Sequence, residues 1–459
     1  MEGRLVGRPG AGCRAGYRTG RAGRGLAGRR VPGGAHALPH LGQTLTPHPT
    51  QETFVTLADT PRSGPLAGVK VLDLTWVILG PFCTQMLADH GADVIKLESP
   101  EGDPMRAVGP RRTNDMGPSF LQLNRNKRSM ALDLKQEATR QVLERLIAWC
   151  DVFVSNMRPQ ALERLGLDYD SVRRVNPRAV YVSCTGFGED GPYAGRPAFD
   201  EVIQAMTGLA SARARERDGM PQSCPFPLAD RYAGLYAAFC VSAALAAVAR
   251  DGTGQKLEIP MFEVIAQLVL ADHMIGSVFD PPESAPGYDR YLNGQRTYFR
   301  TADGHLCAAI NTDRQWRKFL EAAGRADLLA HPSFATRAAR AREARAVDLQ
   351  LRELFASDTT ARWLALLGEA EVPAAPVRDI AGLMNDPHLA AVDFFISAPH
   401  PTQGNLRMPG FPARWSATPP SYRRGAPGLG QHTAEILSEL GLDDGPAAPA
   451  ARQQRDGGG

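Results

Sequence analysis

The stretch that decides the fold runs Val69-Lys70-Val71-Leu72-Asp73-Leu74, then Gly80-Pro81, then residues 82–90, then Ala92-Asp93-Val94-Ile95-Lys96-Leu97-Glu98. The outer runs are short, apolar and rich in Val, Leu and Ile, which predicts strands. Gly80-Pro81 punctuates the first, and 82–90 reads as a helix. Working outward, further strands are expected at 128–134, 151–155, 179–184 and 255–260. Helices are expected at 137–150, 159–165, 198–208, 231–250 and 262–278. In 137–150, Val142, Leu146 and Trp149 recur at i, i+4 and i+7. Strands alternating with helices, several apolar on both faces, predict an α/β fold with a mainly parallel sheet.

Composition sets the outer limits. A chain of 459 residues with 43% hydrophobic residues buries a sizeable core and exceeds one small domain. The net charge of +3 misleads, because the first thirty residues hold eight Arg against one acid. The remainder carries 44 basic and 48 acidic residues, so no global basic field asks for nucleic acid. Residues 1–65 are rich in Gly, Arg and Pro without periodicity and are expected to be a disordered extension. Residues 66–280 read as a large α/β domain. The Pro281-Pro282-Glu283-Ser284-Ala285-Pro286-Gly287 run marks a boundary to a small domain, 281–384. Residues 385–442 contain strand-like pieces at 392–397 and 406–410 and a last helix at 433–440. The low-complexity tail, 443–459, is again expected to be disordered.

No apolar stretch reaches the roughly 20 residues of a membrane span, and the Ala-heavy run 232–248 reads as a buried helix. The N-terminus lacks the apolar core of a secretory signal. A cytoplasmic location follows, or the mitochondrial matrix if residues 1–65 act as a transit peptide. The seven cysteines, at 13, 83, 150, 184, 224, 240 and 307, are odd in number and contain no CxxC pair. They read as buried free thiols of a reducing compartment. Cys184, near a strand end, is the candidate for a reactive cysteine, but no partner His stands in a recognisable pattern.

Asp230 is the carboxylate whose surroundings suggest chemistry. It sits in Pro225-Phe226-Pro227-Leu228-Ala229-Asp230-Arg231-Tyr232, at the start of a long apolar helix. Two readings stand together: an N-cap accepting a backbone N–H, and a nucleophile toward an activated acyl group. Phosphate groups need Arg or Lys near loops at strand ends. Three places offer them: Asn126-Lys127-Arg128, Lys135, and Asn156-Met157-Arg158-Pro159 with Arg164. Solvated surface charge is the plainer reading of each. Gly186-Phe187-Gly188-Glu189-Asp190-Gly191 matches a dinucleotide fingerprint literally, but the prolines at 192 and 197 cannot open the required helix, so it reads as a glycine-rich turn. His90, His273, His305 and His400 share no metal-ligand spacing, and no Ser stands in a nucleophile elbow. Asp200 and Glu201 are adjacent carboxylates that a helix points about 100° apart, which suits surface or supporting roles.

These residues, from about Gly68 to Leu442, resemble the class III coenzyme A transferases, the family of formyl-CoA and carnitine CoA-transferases. The resemblance rests on Gly68 to Thr75 with Gly80-Pro81, Gly91 to Glu98, and Asn124-Arg125-Asn126-Lys127-Arg128-Ser129. Asn156 to Pro159, Gly186-Phe187-Gly188 with Gly191-Pro192-Tyr193, and Ala229-Asp230 with Gly234-Leu235-Tyr236 complete it. It implies a Rossmann-like large domain, a smaller middle α+β domain and an obligate interlocked homodimer. It implies a catalytic Asp230 that takes coenzyme A (CoA) from an acyl-CoA donor and passes it to a carboxylic acid. It places CoA contacts on Asn156, Arg164 and Lys135, with Arg158 and Val77 beside them. No permanently bound cofactor or metal is implied, and acyl-CoA is a substrate. Ile78 stands where formyl-CoA transferases carry a glutamine, with Trp76 nearby, which disfavours oxalate and suits a larger or more apolar acid. Residues 291–295 hold one glycine where those enzymes have a run, and Ser99 replaces their arginine. The α-methylacyl-CoA racemases of the same superfamily need a His that here is Phe199, so racemisation ranks second. A non-catalytic CoA- or nucleotide-binding protein is the alternative from another class.

Overall fold

The computed structural model describes residues 63–214, 219–292 and 298–442. Nearly all of the extension read at 1–65 and the whole tail 443–459 lie outside the described residues, as do 293–295 of the 291–295 segment.

Six parallel strands form the main sheet: β1 (Lys70–Leu74), β2 (Asp93–Glu98), β3 (Lys127–Ala131), β4 (Val152–Ser155), β5 (Val180–Thr185) and β6 (Lys256–Pro260). Their order is β3-β2-β1-β4-β5-β6. The helices accompanying them are α1 (Leu79–Asp89), α2 (Pro118–Leu123), α3 (Arg140–Trp149), α4 (Pro159–Leu165), α5 (Tyr169–Val175), α6 (Asp200–Met206), α7 (Leu209–Ala214), α8 (Leu228–Asp251) and α9 (Met261–His273). Because successive strand residues point to opposite faces, each strand feeds two cores. Val71, Val94, Val152, Val154, Val180 and Val182 pack beneath α1, α8 and α9. Leu72, Ile95, Phe153 and Tyr181 pack beneath α3 and the last helix, Thr433–Glu439. The strand order reverses between β1 and β4, and an open sheet of this kind leaves a crevice at its carboxyl edge there.

Several boundaries differ from the sequence reading. Gly80 and Pro81 lie inside the first turn of α1. Pro is tolerated there because its missing N–H would be unpaired anyway. Gly80 is required by space, since a Cβ would come 2.3 Å from Thr75 Cβ. The helix expected at 137–150 opens with a 3₁₀ turn, Glu137–Thr139. The strand expected at 128–134 ends at Ala131. The helix expected at 262–278 stops at His273, and a 3₁₀ turn, Ile275–Val278, follows with Ile275 at φ 48°.

The largest correction concerns α8. It has 24 residues and begins at Leu228 rather than Arg231. Among the described residues it is the one helix long and apolar enough to cross a bilayer, which the sequence reading denied to any stretch. One face, from Ala229 through Ala233, Ala237, Val241 and Ala244, packs into the sheet core and against α1. Gly234 permits that approach, because a Cβ would lie 2.6 Å from the Leu79 carbonyl oxygen. The helix is therefore not buried all round. Leu235, Tyr236 and Phe239 are 46%, 36% and 66% exposed on the opposite face.

Further along, β7 (Tyr298–Arg300), β8 (His305–Ala308) and β9 (Ala374–Pro376) make an antiparallel sheet. It has its own core around Phe299, Phe319, Phe355 and Trp363. β10 (Phe395–His400) pairs with β11 (Gly404–Pro409) as a hairpin, starting three residues later than predicted because Asp393 turns the chain at φ 50°.

Candidate active site

The site is built on the loops that leave β1, β4 and β5. The β1 loop, Thr75–Ile78, is held from below by charges. Asp73 accepts from the Thr75 N–H (2.9 Å), the Thr75 hydroxyl (2.5 Å) and the Thr84 hydroxyl (2.6 Å). Lys127 Nζ donates to Asp73 Oδ2 at 3.0 Å, with both side chains wholly buried. Burial alone would raise the Asp73 carboxyl, but Lys127 and Lys96 outweigh it and hold the group below its ordinary value. Lys96 Nζ donates to the Thr75 carbonyl at 2.7 Å and pairs with Asp103 at 3.0 Å. Asp103 in turn accepts from the Val77 N–H at 3.3 Å. Val77 sits at φ 71°, an unusual state for a β-branched residue that this network sustains.

The β4 loop closes on the β1 loop through Asn156. Its Oδ1 accepts from the Trp76 N–H at 3.1 Å, and its Nδ2 donates to the Trp76 carbonyl at 2.8 Å. This two-bond clasp spans the point where the strand order reverses. The β5 loop follows as the glycine-rich turn read from the sequence, with no helix before Asp200. Phe187 is buried in the core, and the Gly188 N–H donates to Glu263 at 3.0 Å.

Asp230 faces these loops from the first turn of α8. Pro227 occupies the cap position without a side-chain bond, so Asp230 is not the N-cap of the plainer reading. That role falls to Asp200, from the start of α6. Its Oδ1 accepts from the N–H groups of Ala229 (2.6 Å) and Asp230 (3.1 Å), and its Oδ2 accepts from Gln204. Asp200 is buried, so it is a supporting group rather than a surface one. Among the described residues no side chain hydrogen-bonds the Asp230 carboxylate. Burial, the Asp200 charge and the Glu201 charge push Asp230 up to about 7, with Arg231 opposing. A carboxylate in this state is an ionisable nucleophile or base poised near neutrality.

Asp230 lines a cavity of about 300 Å³ together with Val77, Ile78, Asn156, Arg158 and Phe199. A second cavity of about 260 Å³ opens beside it over the ends of β1 and β2, lined by Ser99, Lys135 and Leu165. Trp76 and Met157 line both, forming the shared wall. The structure thus gathers Val77, Asn156, Arg158 and Asp230 in one cavity and puts Lys135 in its neighbour. Arg164 lines neither of the two and donates from Nε to the Gln160 carbonyl at 3.1 Å on α4.

Asn126-Lys127-Arg128 is a correction. All three are buried and committed inside the protein. Asn126 binds Asp89 at 2.8 Å and Lys127 binds Asp73. Arg128 binds Asp93, Glu435 and Glu439. No phosphate reaches them. Cys184 lines the Asp230 cavity, but burial pushes its thiol up to about 12, which keeps it protonated and unreactive. Among the described residues no cluster of His, Cys, Asp and Glu could hold a metal.

A parallel sheet whose reversal point carries two adjoining cavities and a carboxylate poised near neutrality defines an α/β enzyme that works on a ligand at its carboxyl edge. Residues 66–433 match the profile of CoA-transferase family III. The chain belongs to that family and is a CoA-transferase. It is 33% identical over 408 residues to the succinate–glutarate CoA-transferase of Agrobacterium fabrum, covering 86% of this chain and 100% of that protein. It is 31% identical over 379 residues to the human succinyl-CoA:glutarate CoA-transferase, covering 82% and 86%. Among solved structures, a CAIB/BAIF family protein from Brucella suis superposes with a TM-score of 0.72 at 32% identity, covering 82% of this chain and 100% of that one.

Proposed function

We propose that the protein transfers CoA from an acyl-CoA donor to a second carboxylic acid through a covalent intermediate on Asp230. The observation that carries this reading is the Asp230 carboxylate, raised to about 7 and lining a cavity that adjoins a second, Lys135-lined one. The ionised carboxylate attacks the donor thioester carbonyl, forms a mixed anhydride and expels CoA thiolate. The thiolate attacks the Asp230 carbonyl of that anhydride, giving aspartyl-CoA thioester and releasing the donor acid. The acceptor carboxylate attacks the Asp230 carbonyl, forms a second anhydride and expels the thiolate again. Attack of the thiolate on the acceptor carbonyl gives the new acyl-CoA and restores the Asp230 carboxylate. Each step exchanges one acyl–oxygen or acyl–sulfur bond for another, so no oxidant or metal is needed.

In this reading the CoA moiety runs from the Lys135 cavity past Trp76 to Asp230. Lys135, Arg158 and Arg164 meet its phosphates, while Asn156 and Val77 shape the passage. The acids are dicarboxylates of the class for which both curated relatives are named, succinate and glutarate. Ile78 and Trp76 suit their methylene chains. We further propose a Rossmann-like large domain from 66–280 and 385–442, a small domain at 281–384, and an interlocked homodimer. The outward side chains of α8, Leu235, Tyr236 and Phe239, support a second copy against that helix. A sedimentation experiment reading a monomer at micromolar concentration would sink the dimer.

The test of the chemistry is direct. Purified protein is incubated with a panel of acyl-CoA donors and quenched with hydroxylamine. A hydroxamate at Asp230, absent from Asp230→Ala, together with bound CoA mass before quenching, is the expected result. Turnover by Asp230→Ala, or no modification with any competent donor, refutes the nucleophile.

A further inference from the structure

We propose that Arg196 holds the far carboxylate of the dicarboxylate acid, the one that does not react, while Asp230 works at the near one. The proposal rests on the CoA-transfer reading and adds a residue that decides which acids are taken. Four charged side chains line the Asp230 cavity: Arg158, Glu189, Arg196 and Asp230 itself. Glu189 is committed to Lys256. Arg158, beside Asn156 on the β4 loop, belongs to the CoA path. Arg196 is the remaining cation, and among the described residues no carboxylate pairs with it.

Its placement is fixed although its charge is not used. Arg196 stands on the β5 loop, where two consecutive turns lock the backbone. The Ala194 N–H donates to Gly191 O at 3.0 Å, and the Arg196 N–H donates to Tyr193 O at 3.0 Å. The guanidinium carbon lies 4.6 Å from the centre of the Tyr193 ring. That ring packs edge-on against Phe187 at 5.3 Å and Phe262 at 6.0 Å, so it is tied to the core under the sheet. Lying against an aromatic ring orients the guanidinium and leaves its N–H groups free, the arrangement that takes a carboxylate through two parallel hydrogen bonds. The same cavity also carries an apolar lining that includes Trp76, Ile78, Pro197, Ala198 and Phe199. An acid with a carboxylate at each end and methylenes between them matches a cavity that offers a cation, apolar lining and Asp230 together.

The test compares acceptors of equal carbon number, glutarate and pentanoate, with butyryl-CoA as a donor that carries no second carboxylate. The wild type is expected to favour glutarate. Arg196→Gln lowers kcat/KM for glutarate about 100-fold, chiefly through KM, as loss of a charge-assisted pair of hydrogen bonds would. Turnover of pentanoate stays within about threefold, since that acid never uses the pair. Arg196→Lys recovers part of the glutarate preference, because it keeps the charge and loses the fork. An equal fall for both acids marks a structural role and overturns the proposal, as does an unchanged glutarate-to-pentanoate ratio. A wild type without glutarate preference overturns it too. Hydroxylamine trapping of butyryl-CoA on Asp230 separates the two readings. A hydroxamate in wild type and Arg196→Gln alike, with an unchanged ratio, sinks the Arg196 role and leaves CoA transfer standing. No hydroxamate in the wild type sinks the covalent mechanism itself.

Discussion

Asp73 on β1 and Asp230 on α8 carry the same functional group, and their surroundings push them in opposite directions. Asp73 is fully buried, yet two lysines and two hydroxyls surround it, and its carboxyl is held below the ordinary value. Asp230 is only half-buried, yet its closest charged neighbour across the fold is another aspartate, and its carboxyl rises to about 7. Burial is unfavourable to both, and the partner decides the outcome. The β1–β3 region uses charge to fix backbone. The first turn of α8 supplies only Arg231 against burial and the Asp200 and Glu201 charges, and the Asp230 carboxyl stays raised.

The sharpest way to break this contrast is Asp230→Asn. It is expected to lower kcat by about 10⁴-fold or more, the loss typical of removing a covalent nucleophile. The fold should survive. The raised Asp230 pKa stabilises the folded state fully below the ordinary 3.8, and that stabilisation is lost as pH rises through about 7. The Asn variant has no such loss, so a thermal scan at pH 8 should read a melting temperature at least as high as the wild type. A lower one at pH 8 would contradict the assigned environment.

The second test inverts the roles. Lys127→Met strands the Asp73 charge and should cost about 3–5 kcal/mol in urea unfolding, as for a broken buried pair. Pairing it with Asp73→Leu should recover most of that loss. Third comes the pH profile. In the proposed mechanism attack needs the ionised form, so kcat/KM of the free enzyme should rise from the acid side with a midpoint near 7. Asp200→Asn keeps the Oδ1 acceptor for Ala229 and Asp230 but removes its charge. The acid limb should move down by about one pH unit. An unmoved limb would mean that burial alone sets the Asp230 value. The smallest effect is expected from Asn156→Ala, which opens the Trp76 clasp. A loss of about 1 kcal/mol of stability by denaturant titration is expected, with a raised KM for acyl-CoA.

The parallel sheet was legible in the sequence because apolar runs such as 92–98 declare themselves without long-range information. The place of Asp230 at the start of a long apolar helix was legible for the same local reason. Its cap was not. Asp200 and α8 are separated by 27 residues of intervening chain, and only the fold brings Asp200 Oδ1 to the Ala229 N–H. The 126–128 run misled because a charged stretch at a strand start looks solvated. Its partners, Asp73, Asp93 and Glu435, come from two other strands and the last helix. A clue was present in the strands themselves. Asp73 and Lys96 interrupt runs destined to be covered on both faces, where a charge must have a partner. The all-round apolar α8 read as interior, because composition does not distinguish a residue facing the core from one that faces outward.

The loop at Trp76 is tied to four separate side chains, Asp73, Lys96, Asp103 and Asn156, that issue from or just beyond three neighbouring strands. Such a cleft wall needs little settling when a ligand arrives, because its conformational entropy was surrendered during folding. Association energy is then left for distorting the thioester toward reaction, rather than for organising the groove that receives it.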